Sequence, residues 1–226
     1  MESQFKQIAA LIGDPTRATI LWTLLEGKAF TATELAVAAD TSPQNISMHL
    51  GKLVHAGLLC AESQGRHRYY KFSRKDIAYG IEAMASLIPP TETAKSVLAE
   101  NNSPIKYCRT CYDHLAGKVG VLITDSLIQQ KIIIEKSKSF AVSGKGQKWF
   151  SNLDINIDNL KKERRFLVRP CLDWSERRHH IAGSLAASLL EKMLSAGWLR
   201  KTKNSRAIII TGKGQKKLYE YFDISL

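Results

Sequence analysis

Three cysteines in the second half of the chain stand near residues that could activate their sulfur atoms. A C-x-x-C pair is followed closely by a histidine, and a Cys-Leu-Asp-Trp stretch is followed by Arg-Arg-His-His. A neighbouring Arg or protonated His lowers the pKa of a thiol and makes it react faster, so the pattern predicts sensitivity to oxidants or electrophiles. The candidate effector residues are Cys108, Cys111, Cys171, Trp174, Arg177 and His180.

Other interpretations of this region stay open. With a histidine, Cys108, Cys111 and Cys171 could hold a metal ion, although one C-x-x-C and one distant Cys form a weaker pattern than two such pairs. The thiols could instead be small buried hydrophobic groups. An organic inducer could occupy an aromatic pocket, with the basic residues 177–180 fixing an acidic group. The candidate lining is Tyr107, Tyr112, Trp149, Phe166, Trp174 and Trp198.

A second set of chemically informative side chains lies in residues 42–55. Ile46, Leu50, Leu53 and Val54 recur at helical spacing, which predicts one buried stripe. The opposite face is polar, and Gln and Asn can form paired hydrogen bonds with adenine, while Ser can contact any base or a phosphate. The candidate DNA-contacting residues are Ser42, Pro43, Gln44, Asn45, Ser47, His49 and Lys52, followed by Arg66, His67 and Arg68.

Capping patterns predict the helices that position this polar face. Thr31 and Glu34 have the spacing of a capping box for a short preceding helix. Ser42 is a good N-cap for the second helix, and Pro43 suits its first turn because the missing N–H would have no partner there. Gly57 is expected to end that helix.

A hairpin is predicted directly after the second helix. Residues 58–62 and 67–72 have strand character, and Gln64 with Gly65 predicts the turn between them. The basic residues 66–68 then lie at its tip. Helix, turn, helix and basic hairpin is the layout of a winged helix-turn-helix, in which one helix enters the major groove and the hairpin touches the adjacent backbone.

Three stretches of the first half occur in a characteristic order and spacing. They are LIGDPTRATILWTLLEG (residues 11–27), SPQNISMHLGKLVHAGLL (42–59) and GRHRYYKFS (65–73). Together they resemble the ArsR/SmtB family of bacterial repressors over about residues 1–88. The resemblance implies a homodimer, formed by helices at residues 2–12 and 74–88, that releases DNA when an inducer binds.

The chain departs from the metal-sensing members of that family. Residues 34–38 are ELAVA, without the cysteines of the ELCVC-type stretch, and the helix at residues 74–88 has Asp76 and Glu82 but no His. Neither familiar metal site therefore transfers to this sequence. The CLDW stretch at residues 171–174 resembles an extended subgroup of ArsR-like regulators with a C-terminal motif of that type.

The second half contains an internal repeat. Two motifs occur twice, HLAG (residues 114–117) as HIAG (180–183), and SGKGQK (143–148) as TGKGQK (211–216). Each copy predicts a long apolar helix, two short strands and a further helix, which is the pattern of a degenerate winged helix. Because apolar helices are more often buried against partners than exposed, we expect the two copies to pack on each other as a pseudo-symmetric sensor module.

The predicted fold class is mainly α with small β-hairpins (α+β). An N-terminal winged helix-turn-helix occupies residues 1–88, and a linker that begins with two prolines occupies 89–106. The C-terminal module, residues 107–226, consists of two degenerate winged-helix-like repeats at about 107–160 and 171–226.

Charge and composition agree with a polyanionic partner. The formal net charge is +12, and it is unevenly distributed: residues 1–90 hold 9 Lys+Arg and 8 Asp+Glu, whereas residues 91–226 hold 24 and 13. We expect the second half to lie near the duplex and add phosphate contacts, the alternative being a solvated basic surface. Neither a signal peptide nor an apolar run of about 20 residues is present, which predicts a cytoplasmic protein without a membrane partner.

The predicted function is a sequence-specific repressor that binds an inverted repeat in double-stranded DNA as a homodimer. Thiol oxidation, an electrophile or a small organic ligand would release it. One alternative is a metal-responsive repressor that uses Cys108, Cys111 and Cys171, and a less favoured one is a dithiol oxidoreductase. Because the C-x-x-C pair lacks a βαβ setting and no Walker, G-x-S-x-G or H-E-x-x-H motif occurs, we predict no enzyme, resident metal or other cofactor.

Overall fold

The computed structural model describes residues 1–85, 87, 103–136, 139–203 and 205–226, with only the backbone of Lys75. The chain forms two compact units, Met1–Ala85 and Ser86–Leu226. Most of the linker predicted at residues 89–106 lies outside the described residues, as does the predicted end of the helix at residues 74–88. No helix in the described parts of the chain has the length and apolar character needed to cross a membrane.

The N-terminal unit is a small helical domain with one three-stranded antiparallel sheet in the order β1-β3-β2. Its elements are α1 (Glu2–Ile12), α2 (Pro15–Leu24), β1 (Phe30–Thr31), α3 (Ala32–Ala38), α4 (Pro43–His55), β2 (Leu59–Gln64), β3 (His67–Phe72) and α5 (Lys75–Ala85). Apolar side chains of α2, α3, α4 and the sheet form its core. This is the winged helix-turn-helix arrangement that the sequence predicted.

Local capping explains where α3 and α4 begin. The Thr31 hydroxyl accepts a hydrogen bond from the backbone N–H of Glu34 at 3.3 Å, and the Glu34 carboxylate accepts one from the backbone N–H of Thr31 at 2.7 Å. The Ser42 hydroxyl accepts from the backbone N–H of Asn45 at 3.2 Å. Gly57 follows α4 with a φ of +70°, a backbone conformation that glycine adopts without steric cost. The predicted caps are thus confirmed.

The C-terminal unit repeats the order hairpin, helix, hairpin, helix. Its elements are α6 (Pro104–Tyr107), β4 (Arg109–Cys111), β5 (His114–Ala116), α7 (Gly117–Gln129), β6 (Ile133–Lys136), β7 (Ser139–Val142), α8 (Gly144–Ser151), α9 (Ile157–Leu160), β8 (Arg169–Leu172), β9 (His179–Ala182), α10 (Ser184–Ser195), β10 (Leu199–Lys201), β11 (Ile208–Ile210) and α11 (Gly212–Phe222). Strands β4–β5, β6–β7, β8–β9 and β10–β11 form antiparallel pairs.

The two copies of the repeat share one apolar core. Helix α7 of the first copy packs against β9 of the second, and α10 of the second packs against β5 of the first. Val119, Ile123 and Leu127 on α7 are buried in the same cluster as Leu185 and Leu189 on α10. The predicted packing of the copies on each other is therefore confirmed, and each hairpin before a long helix is covered by the helix of the other copy.

The repeated SGKGQK and TGKGQK motifs have a structural role in both copies. The Ser143 hydroxyl caps α8 by accepting from the Gly146 N–H at 2.8 Å, and the Thr211 hydroxyl caps α11 by accepting from the Gly214 N–H at 3.0 Å. Each hydroxyl also donates to a backbone carbonyl just after the preceding helix, at 2.7 and 2.8 Å. The motif therefore fastens the second helix of each copy to the end of the first.

Candidate functional site

One face of α4 is an exposed and largely polar surface. Exposed side chains recur at helical spacing on one side of the helix, while Ile46, Leu50 and Leu53 are wholly buried on the other. A helix anchored in this way can insert its outer face into a major groove. The exposed residues of this stripe are Gln44, Ser47, Met48, Gly51, Lys52 and His55.

Two of the predicted base-contacting side chains are already held in place. The Asn45 side-chain amide donates to the Thr41 hydroxyl at 2.7 Å, and the Ser47 hydroxyl donates to the Pro43 carbonyl at 2.8 Å. In each side chain one donor is thus already used, and the side-chain oxygen can still accept a hydrogen bond. Ser42 and Pro43 are also exposed at the start of the helix, where the Ser42 hydroxyl already caps the Asn45 N–H and Pro43 has no N–H to offer a phosphate.

His49 does not belong to the exposed face, and this part of the sequence prediction needs correction. The residue is only 6% exposed, and its ring lies 3.3 Å from the Asp14 carboxylate and 3.4 Å from the Arg17 guanidinium. Arg17 in turn donates to the carbonyls of Ala10 and Leu11 at the end of α1. At about 100° per residue, position 49 lies about 40° from Leu53, at the edge of the buried stripe, and the histidine joins α4 to α1 and α2.

The wing hairpin carries its basic residues at an exposed tip. In the register of β2 and β3, Gln64 pairs with His67, so Gly65 and Arg66 form the turn, one residue later than predicted. His67 and Arg68 are exposed directly after the turn. The Arg68 guanidinium lies 5.6 Å from the ring centre of Tyr70, close enough for a cation–π contact. These cations can contact phosphates beside a helix in the groove.

In the C-terminal unit, two cysteines and two histidines come together. Cys111 lies opposite His114 in the β4–β5 pair, and Cys171 lies opposite His180 in the β8–β9 pair. Their potential ligand atoms are all within 4.8 Å of one another, and the Nε2 atoms of the two histidines are 3.1 Å apart. We call these four residues the Cys–His cluster. Three members are buried, Cys171 is half-buried, and neither cysteine is in a disulfide.

The Cys–His cluster differs from the group that sequence spacing favoured. It contains the candidates Cys111, Cys171 and His180 and adds His114, which was not among the candidates although the repeat places it at the position of His180. Cys108 is not a member: it is wholly buried, and burial raises the pKa of its thiol to about 12. The C-x-x-C pair therefore does not place its two sulfurs in one site.

A carboxylate stands behind each histidine of the cluster. Asp113 Oδ1 lies 3.3 Å from the Nδ1 of His114, and Asp173 Oδ2 lies 3.3 Å from the Nδ1 of His180. The contact with His114, helped by Arg165, lowers the pKa of Asp113 to about 2. Burial opposes the charge of His180, but its contacts with Asp173 and Cys111 outweigh burial and raise its pKa.

Asp173 is the centre of a buried ion pair. Its carboxylate accepts hydrogen bonds from Arg109 at 3.0 Å, from the backbone N–H of Gly117 at 2.7 Å and from Ser175 at 2.6 Å. Burial alone would raise the pKa of Asp173, but His180 and Arg109 hold it far below its usual range. The Trp174 ring lies 4.8 Å from the Arg109 guanidinium and is buried. The CLDW stretch thus contributes a cluster ligand, an ion-pair partner and a packing residue.

The remaining effector candidates do not gather in one place. Arg177 follows in the β8–β9 loop with a φ of +56°, and its backbone N–H donates to the Asp173 carbonyl at 2.9 Å. Among the aromatic candidates, Tyr112 and Phe166 are 61% and 74% exposed, whereas Trp198 is buried against Tyr221. An apolar recess in this unit has none of the candidate aromatics in its lining, which is Leu115, Gly120, Ile123, Ile181, Ala186, Leu189, Leu190 and Met193.

Comparison with known proteins adds three findings. A family model described as a helix-turn-helix domain matches residues 12–59. The chain is 38% identical over its full length to the uncharacterized HTH-type transcriptional regulator YdfF of Bacillus subtilis, and the match covers 100% of both chains. It is 28% identical over 99 residues to the HTH-type transcriptional regulator CmtR of Mycobacterium tuberculosis, covering 44% of this chain and 83% of that protein.

The fold of part of the chain is similar to that of solved structures. One is the homodimeric winged helix-turn-helix DNA-binding domain of Mb0332 from Mycobacterium bovis, which is 22% identical and covers 38% of this chain and 78% of its own, with a TM-score of 0.35. The match to YdfF, in contrast, includes the unit that carries the Cys–His cluster.

Proposed function

This chain belongs to the family of HTH-type transcriptional regulators, and we propose that it is a repressor that binds an inverted repeat in double-stranded DNA as a homodimer. The family expectation from the three sequence stretches is confirmed at the level of a winged helix-turn-helix regulator. The observation that supports the proposal most directly is the exposed polar stripe of α4, which stands on a wholly buried apolar stripe and is followed by a basic wing.

In the proposed complex, α4 lies in the major groove and the wing lies on the adjacent backbone. Gln44 and Asn45 reach base edges near the start of the helix, and Lys52 neutralises a phosphate. Arg66 and Arg68 contact flanking phosphates from the wing tip. The phosphate contacts supply sequence-independent affinity, and the α4 side chains supply the preference for particular bases.

Exposed apolar residues on the outer helices support dimerisation. None of the residues of α1 is buried, and Phe5 is 70% exposed; on α5, Met84 is 46% exposed. A second copy would cover such side chains, and the family resemblance implies that these two helices form the interface. A two-fold dimer presents two α4 helices to the two halves of an inverted repeat.

We place the response to a signal in the C-terminal unit. The Cys111 and Cys171 thiols, which share the cluster with His180, are the candidates for oxidation or alkylation, and an organic ligand is the alternative. A dithiol oxidoreductase is disfavoured because the raised pKa of Cys108 makes it a poor nucleophile. The relative YdfF, which matches along the full chain, is named as a transcriptional regulator.

Fluorescence anisotropy of a labelled duplex from upstream of the protein's own gene tests the proposal. We expect Arg68→Ala to weaken binding to every sequence and to reduce the salt slope by about 1. Gln44→Ala should cost about 1–3 kcal/mol at one base position and leave other positions unchanged. Lys28→Ala, an exposed cation in the loop between α2 and β1, is the control and should bind as wild type. Wild-type affinity no tighter than for unrelated DNA would refute the proposal.

The same titration with diamide-treated protein tests the signal. Loss of binding on oxidation, absent from a Cys171→Ser variant, would support a thiol switch. Equal binding by reduced and oxidised protein would refute the thiol switch but not the proposal that the protein is a repressor.

A further inference from the structure

We propose that Cys111, His114, Cys171 and His180 bind one zinc-class divalent metal ion, which joins the two repeats of the C-terminal unit. Zinc favours four sulfur and nitrogen ligands in a tetrahedron, with bonds of about 2.0–2.1 Å to nitrogen and 2.3 Å to sulfur. An ion centred in such a tetrahedron holds its two nitrogens about 3.3 Å apart. The Nε2 atoms of His114 and His180 are 3.1 Å apart, and all four ligand atoms lie within 4.8 Å of one another.

The repeat itself produces the ligand set. Residues directly opposite each other in an antiparallel pair lie on the same face, so each hairpin presents one Cys and one His together. Cys111 pairs with His114 in the first copy, and Cys171 pairs with His180 in the second. Because β5 and β9 contact each other, the two Cys–His faces meet, and two half-sites make a complete four-ligand site.

The surroundings of the histidines point independently to a cation. A carboxylate lies 3.3 Å from each Nδ1, Asp113 behind His114 and Asp173 behind His180; the first contact has hydrogen-bond geometry, and the second is an electrostatic contact. The two Nε2 atoms face each other in a buried place, and either ring can bind a metal ion there once its Nε2 carries no proton. Metal-bound histidines usually have a carboxylate or carbonyl at the other ring nitrogen.

Charge and burial favour a closed structural site of this class. Two thiolates neutralise a divalent ion, so the loaded site carries no net charge, while Arg109 pairs with the second carboxylate, Asp173. Sulfur and imidazole ligands select zinc over magnesium or calcium, and four protein ligands leave no position open for a substrate. The inference goes beyond the proposed function: it shares Cys111 and Cys171 with the proposed thiol response, but it does not depend on DNA binding, because the proposed DNA-contacting residues lie in the other unit.

Metal analysis of the full-length protein provides the first test. After exposure to zinc and dialysis, we expect one zinc per chain by plasma mass spectrometry, and a Co²⁺-loaded sample should show the absorption of tetrahedral cobalt with thiolate ligands. Cys171→Ser should lose both, whereas Cys60→Ser, which removes a thiol from the wing, should keep both. Asp113→Asn should retain the ligands but lower zinc affinity about 10–100-fold.

A second measurement uses the wild-type chain and so does not depend on whether a variant folds. With zinc bound, Cys111 and Cys171 should alkylate more slowly with N-ethylmaleimide than after chelator treatment, as mapped by mass spectrometry, while Cys60 should react equally in both samples. Zinc far below one per chain, with equal alkylation of Cys111 and Cys171 in both samples, would overturn the proposal. Recovery of a Cys111–Cys171 disulfide in place of metal would overturn it as well.

Discussion

The wing hairpin of the N-terminal unit and the two cluster hairpins of the C-terminal unit have the same local form in opposite surroundings. The wing exposes His67 and Arg68 beside its turn, whereas β4–β5 and β8–β9 bury His114 and His180 at comparable positions. The difference lies in what covers them, because each cluster hairpin is packed under a long apolar helix of the other copy. The strand pairing itself therefore does not determine whether polar side chains near the turn are exposed or buried. The presence or absence of a helix packed over the hairpin determines it.

The largest expected effect compares an ion pair beside each kind of hairpin. Asp173→Asn leaves Arg109 buried without its counter-charge, and we expect a loss of about 3–5 kcal/mol in the free energy of unfolding. Glu62→Gln breaks the exposed Glu62–Lys71 pair of the wing, which solvent screens, and should cause no measurable loss. Urea unfolding followed by tryptophan fluorescence measures both. Equal losses in the free energy of unfolding for the two variants would show that burial does not make the Asp173 ion pair more important than the exposed one.

The next effect compares a glycine at each kind of hairpin. Gly183 follows β9 with a φ of +105°, and a Cβ there would lie 2.5 Å from the Phe166 carbonyl oxygen. Gly65 forms the wing turn with a φ of +59° and has open space around it. Gly65→Ala should therefore cost only the left-handed conformation, about 1–2 kcal/mol, whereas Gly183→Ala adds about 1–3 kcal/mol of overlap. Thermal unfolding of the two variants checks the order, and a larger loss for Gly65→Ala would contradict it.

Two histidines of the N-terminal unit, one buried and one exposed, test whether burial determines the effect of a substitution on stability. His49→Ala removes a buried ring from beside Asp14 and Arg17 and should destabilise the N-terminal unit by about 1–3 kcal/mol. His67→Ala, on the exposed wing, should leave stability unchanged and weaken DNA binding. Urea unfolding and anisotropy on the same two proteins give the comparison. A His49→Ala variant that is as stable as wild type but binds DNA more weakly would show that His49 contacts DNA after all.

Local patterns predicted the elements of the N-terminal unit well. The caps at Thr31 and Ser42 and the glycine at position 57 act between neighbours in sequence, so spacing alone reveals them. The error at His49 arose because a polar residue was assigned to the polar face, whereas Asp14 and Arg17, more than 30 positions away, give it a buried partner. Helical spacing counted from Gln44 predicts Met48 and His55, and not His49, on the exposed face.

The cluster was predicted only in part because its geometry depends on long-range packing. Close spacing in sequence favoured Cys108 with Cys111, but a β-strand turns alternate residues to different surroundings, and Cys108 lies before β4 in the core. The repeat did contain the missing information, since His114 and His180 occupy matching positions in HLAG and HIAG. That the two copies would face each other through these strands required the fold.

The smallest expected effect concerns the anchoring of the wing. Thr31 pairs with Tyr69 of β3 and also caps α3, so one residue fastens the wing to the helix before α4. Thr31→Ala should destabilise the N-terminal unit by about 1 kcal/mol because the Glu34 N–H loses its acceptor. Thr33→Ala, an exposed position inside α3, is the matched control and should be neutral or slightly stabilising. Amide hydrogen exchange should show faster opening of α3 and β3 in the first variant only, since the capping contact is what joins them; uniform behaviour in both variants would mean that the wing is held by its apolar core alone.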